Sequence, residues 1–151
     1  MFCHLWSKWV ELLVSIDPRG HSRWVDQRGG SVSQATNLLR AFGRFEEHWS
    51  PRIVADVNDC QVKIAKIQGE FVWHKHDTQD ELFYVVRGSM VIRLRDSDVH
   101  LQEGDFYVVP RGVEHQPVAE REAWILLIEP QGTLNTGNVV NARTVTSPQR
   151  L

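Results

Sequence analysis

From Ile53 onward the chain is written in short apolar runs with a period of two, each closed by a turn signal. Ile53 and Val54 begin the series, Asn58-Asp59 marks a hairpin turn, and Val62, Ile64 and Ile67 resume it. Residues 70–76 and 81–87 follow, then a turn at Gly88-Ser89 and a run over 90–95. Asp96-Ser97-Asp98 and Glu103-Gly104-Asp105 punctuate two more runs, and residues 123–130 make the last clear one. Strands at roughly 8–12-residue spacing with turn residues between them predict an all-β sandwich or barrel. Helix-period patterning has no room in this stretch, since successive side chains here alternate faces.

A chain of 151 residues fits one domain with a full hydrophobic core. Its net charge of −2 and scattered basic residues give no footprint for nucleic acid or an anionic membrane. Two cysteines, Cys3 and Cys60, lie far apart and form no framework, which favours a reducing, cytoplasmic setting. No stretch approaches the ~20 apolar residues of a membrane helix. Residues 1–36 differ in character and are expected to form an N-terminal extension, poorly ordered in part. Trp6, Trp9, Leu12, Leu13 and Ile16 fall at near-helical spacing and predict a short amphipathic helix. Asp17-Pro18-Arg19-Gly20 predicts a turn, and Arg28 to Ser31 a flexible stretch. A second helical segment is expected over 35–49, with Leu38, Leu39, Phe42 and Phe45 on one face and Pro51 as its stop. The expected division is therefore extension 1–36, β-domain 37–130, and a polar tail 131–151 on the surface.

Within the β-pattern stand four side chains spaced like the ligands of one metal ion: His74, His76, Glu81 and His115. Two histidines one residue apart point to the same side of a strand. A glutamate a short turn later, and a histidine delivered by a separate loop, can enter the same space. Each residue alone has an ordinary surface or turn explanation, but the four together form a joint constraint.

The residues around these four resemble the two motifs of the cupin superfamily. The first is Gly69, His74, His76, Glu81 and Gly88; the second is Gly104, Pro110, Gly112 and His115. Fifteen residues separate them. Two departures occur: the first gap is one residue short, and Ala119 stands where the second motif closes with asparagine. Flanking residues are similar to small cupins described as mannose-6-phosphate-isomerase-like. The resemblance implies a single-domain jelly-roll β-barrel holding one divalent transition metal, without naming a reaction.

Three imidazoles and one carboxylate suit Fe, Mn, Ni, Cu or Zn. An octahedral ion would keep two positions open, the mark of a catalytic rather than a structural site. No other catalytic group is evident, so catalysis should run through the metal. The expected function is a small metalloenzyme acting on a small polar substrate, of isomerase or dioxygenase type; the alternative is a non-catalytic module that binds or senses a small ligand. Phe83, Tyr84, Met90, Ile92, Arg93 and Gln116 are the expected pocket residues. Apolar residues on both faces of the run 82–86 predict that a second copy, or the N-terminal arm, covers the outer face, and a homodimer is expected.

Overall fold

A computed structural model describes residues 13–16, 22–25 and 35–151. The chain divides into two compact units, 1–36 and 37–151. In the first, β1 (Leu13–Ile16) pairs antiparallel with β2 (Ser22–Val25). This corrects the expected amphipathic helix: Leu13 and Ile16 belong to a strand. The β-branched Val14 and Ile16 lose rotamer freedom in a helix and favour an extended backbone. Trp6, Trp9, Leu12 and the turn and Gly-rich stretches expected at 17–20 and 28–31 lie outside the described residues.

In the second unit a single short helix, α1 (Leu38–Phe42), starts at Asn37, whose side chain accepts the Arg40 N–H at 3.0 Å. It stops at Gly43 rather than at Pro51. Leu39 is 60% exposed, so it does not share the face of Phe42 and Phe45; Phe45 is buried, but beyond the helix end.

Eight strands form one sheet: β3 (Arg52–Val57), β4 (Cys60–Glu70), β5 (Glu81–Arg87), β6 (Ser89–Leu94), β7 (Asp98–Gln102), β8 (Phe106–Val109), β9 (His115–Pro130) and β10 (Gln149–Arg150). The long β9 organises it. Along one edge β9 pairs with β4, from Cys60↔Pro130 to Glu70↔Val118. Along the other edge its first half pairs with β6 and its second half with β5. The path runs β10-β3-β4-β9-β5-β8, with β7 attached through β6. The expected all-β architecture is present, but the ladder is an open path rather than a closed ring of strands.

Both faces of this sheet are apolar. On one, Ala65, Ile67, Phe83, Val85, Ile92, Ile125 and Leu127 form the main core. On the other, Phe42 stacks on Trp124 at 4.8 Å, and α1 with Phe45 covers Ile64. The helix segment thus covers part of the outer face. Phe106, Val108 and Ile128 stay 64%, 40% and 36% exposed.

Candidate metal centre

The segment after β4 carries the first two donors. It is irregular rather than a strand: His74 makes an isolated bridge with His115, and their backbones exchange hydrogen bonds of 3.0 and 2.9 Å. Alternation still turns His74 and His76 inward, while Lys75 is half-buried. Glu81 opens β5 and His115 opens β9; they are not register partners, since β5 pairs with the far end of β9 and His115 lies opposite Leu94 of β6. The loop before His115 is tied to the other donors. Gly112 N–H donates to the His76 carbonyl at 2.7 Å, and Arg111 N–H to Asp80 at 2.9 Å. Gly112 has φ +79°, a conformation that only glycine takes freely.

One ligand atom from each of His74, His76, Glu81 and His115 lies within 4.8 Å of the other three. All four side chains are buried. The Nδ1 atoms of His74 and His115 each donate to a carbonyl two residues back, Val72 at 3.0 Å and Val113 at 3.1 Å. That tautomer leaves each Nε2 lone pair facing the centre. Glu81 Oε2 sits 3.2 Å from His76 Nε2 and 3.3 Å from His115 Nε2. These are close approaches rather than directed hydrogen bonds: all three Nε2 atoms and Glu81 Oε2 are buried without a hydrogen-bond partner. Buried polar atoms are rarely left so. Four of them converging as an N3O set fit a single divalent transition metal.

For His74 and Glu81 the electrostatics agree. Burial lowers His74 to about 4, helped by the neighbouring His115, so its imidazole is neutral at pH 7. Burial would raise Glu81, but His115 and His76 outweigh it and hold the carboxyl at about 2. Burial also opposes charge on His76, yet the Glu81 carboxylate beside it wins and the net shift is upward. An anionic carboxylate and neutral imidazoles are the ligand states a metal requires.

A small cavity of ≈ 30 Å³ opens onto His74 and Glu81. Its walls are Ala65, Ile67, Phe83, Pro117, Ile125 and Leu127 from the strands, with Trp49, Pro51, Phe71 and Asn135 from loops. Of the six expected pocket residues, Phe83 lies on this wall. Met90 and Ile92 are packed in the main core. Tyr84 faces the other side, opposite Phe106. Arg93 bonds Glu70 at 2.8 Å and Gln116 at 3.1 Å, and Gln116 donates to the Phe71 carbonyl at 2.9 Å. That chain of bonds fastens the Phe71 backbone from outside the cavity. Trp49 and Asn135 fall in the two flanking segments that resemble the small cupins, but neither lies on a strand or at a motif position whose spacing points to the cavity.

The tail contributes to the centre. Asn138 N–H donates to the Lys75 carbonyl, and Lys75 N–H to Asn138 Oδ1, both at 3.0 Å. A Cβ on Gly137 would fall on the Lys75 carbonyl oxygen and lie 3.2 Å from His74 Cδ2.

Comparison with known proteins agrees with this geometry. The family model described as "Cupin domain" matches residues 61–128. A Bacillus subtilis protein described as uncharacterized protein YdbB is 30% identical over 111 residues, spanning 66% of this chain and 98% of its own length. The crystal structure of a cupin-2 domain containing protein from Shewanella frigidimarina superposes with a TM-score of 0.64 at 47% identity, covering 64% of this chain and 95% of that one. A 3-hydroxyanthranilate 3,4-dioxygenase from Brucella anthropi is 36% identical over 61 residues, 36% of this chain and 34% of the dioxygenase. With the motifs, the fold and these matches in agreement, the chain belongs to the cupin superfamily.

Proposed function

We propose that the chain is a metalloenzyme of dioxygenase type, holding one divalent transition metal on His74, His76, Glu81 and His115. The observation that carries the metal is the convergence of four buried, unpartnered donor atoms. A metal bound there supplies Lewis-acid chemistry and, where the ion is redox-active, electron transfer. The chain's own residues hold His74 and Glu81 in their deprotonated states, line the approach with apolar walls, and leave Glu81 a ligand rather than a free base.

The cavity favours oxygenation over isomerisation. Its polar lining is His74, Glu81 and Asn135. An isomerase that moves protons wants an acid or base besides the ligands, and none lines this cavity. The mannose-6-phosphate-isomerase-like reading therefore has less support than the match to a dioxygenase over 61 residues. The same lack of an acid or base supports the second reading, a non-catalytic module that binds a small ligand. We further propose a cytoplasmic homodimer whose ligand is a small molecule rather than nucleic acid or membrane. Among the described residues no helix is long and apolar enough to cross a membrane.

Metal analysis of protein purified without chelator or histidine tag tests the reading. About one transition ion per chain is expected, with severe loss in His76→Ala. Near-stoichiometric metal in that variant contradicts the ligand set. Substrate-dependent oxygen consumption by the iron-loaded chain separates the enzyme from the binding module.

A further inference from the structure

Ten of the twelve residues lining the cavity are buried; Trp49 and Asn135 are half-buried and so form its mouth. The enclosed part, ≈ 30 Å³, has room for about two water-sized groups. A ligand's donor atoms fit inside, and its body must rest in the mouth. What it meets there is a flat apolar surface: the Trp49 ring stacks on Phe71 at 4.7 Å with 24° between planes.

Trp49 is held in that position from several sides. Its backbone N–H donates to the Lys66 carbonyl at 2.9 Å and its Nε1 to the Gln68 carbonyl at 2.8 Å. Its φ is +58°, which a bulky side chain takes only when its surroundings impose it. Charge is the second selector. No lysine or arginine lines the cavity. The cation over Phe71, Arg143 at 5.8 Å, is committed to the Glu70 carbonyl. A phosphate or sulfate group would enter without the basic partner such groups need.

Building on the metal reading above, we propose that Trp49 is the specificity-determining residue of this site, and that the site takes a small planar molecule with an apolar body and adjacent oxygen donors at one end. The ring lies against Trp49 and the oxygens reach toward the ligand set. Aliphatic polar compounds and sugar phosphates are discriminated against by the missing stacking contact and the missing cation.

The test is calorimetric titration of the zinc-loaded full chain with three probes: catechol, glycolate and glucose 6-phosphate. Catechol supplies both the flat body and the oxygens, and glycolate the oxygens alone. Catechol is expected to bind at least about tenfold more tightly than glycolate, with no measurable binding of the sugar phosphate. Trp49→Ala should weaken catechol about tenfold while leaving glycolate within about twofold and zinc content unchanged; Trp49→Phe should keep most of the catechol affinity. If Trp49→Ala does not fold, Trp49→Leu, which is apolar but not planar, takes its place with the same expectation. Equal loss for both probes, no loss for either, loss of zinc, or tight binding of glucose 6-phosphate overturns the proposal. A wild-type chain that takes up no metal defeats the metal reading instead. The Trp49-dependent preference for catechol, measured on that metal-free chain, then decides the wall on its own.

Discussion

Next to the four donors lies a charge the metal does not explain. Lys63 Nζ and Glu129 Oε1 pair at 2.8 Å with both side chains almost wholly buried, and Lys63 also donates to the Thr133 carbonyl at 3.3 Å. Glu129 Oε2 has no hydrogen-bond partner. Burial first, and then the Glu81 charge, raise the Glu129 carboxyl to about 7 against the pull of Lys63. A carboxyl whose folded value lies above its unfolded value binds more protons when folded. Its contribution to stability is therefore complete below pH ~4.5 and is lost as pH rises through about 7. In the metal-free chain this amounts to a few kcal/mol at most, at about 1.4 kcal/mol for each tenfold change in proton affinity. His74, lowered to about 4, contributes with the opposite sign over part of this range, so the Glu129 effect is read as a difference: in urea titrations of chelated protein between pH 4.5 and 8, Glu129→Gln should lose less stability toward high pH than the wild type. An unchanged slope in that variant would place the pH dependence elsewhere.

Among the elements, the tail matters more than its polar sequence suggests. Gln149–Arg150 adds a parallel strand beside β3, and Leu151 N–H reaches the Ile53 carbonyl at 3.0 Å. Earlier in the tail, Asn138 brackets Lys75 between the two donor histidines. Gly137 allows this approach, with φ +51° and no room for a side chain. Gly137→Ala should push the His74–His76 segment away from the other donors. A loss of about 1–3 kcal/mol in stability is expected from the overpacked contact. Metal affinity should fall about 10–100-fold, the usual cost of disturbing a support behind the ligands. Competition with a chromophoric chelator measures the second effect, and unchanged affinity would show that the tail merely packs nearby.

At the scale of the whole molecule, the outer face of the sheet is only partly covered. Helix α1 with Phe45 protects Ile64 and Trp124, whereas Phe106, Val108 and Ile128 remain exposed around β8, Leu82 and Tyr84. Among the described residues strand β8 ends the hydrogen-bonded path, with its outer edge unpaired beside this patch. The proposed homodimer would bury it. Sedimentation equilibrium should give a dimer for the full chain and a monomer for Phe106→Glu, with metal content unchanged. A monomeric wild type would remove the dimer without touching the metal centre.

Local patterns in the chain were enough to establish most of the strand series and its turns, and to group His74, His76, Glu81 and His115 as one cluster. A period of two, glycines at positive φ, and histidines one residue apart all act within a few residues of one another. Alternation within 81–87 also places Phe83 and Val85 on the face of Glu81, and all three are buried. The same alternation would put Val72 on the side of His74 and His76, but the segment 71–80 leaves the strand and Phe71 reaches the cavity instead. It also could not say what stands behind a face. Met90 and Ile92 point inward, but toward the main core, while Ile67, Ile125 and Leu127 from β4 and β9 wall the cavity. The bracket around Lys75 and the place of Trp49 were decided by tertiary structure alone. Contacts between residues far apart in the chain leave no periodic trace in it; only the packed sheet, with its long β9 shared between three neighbours, determines which of them meet.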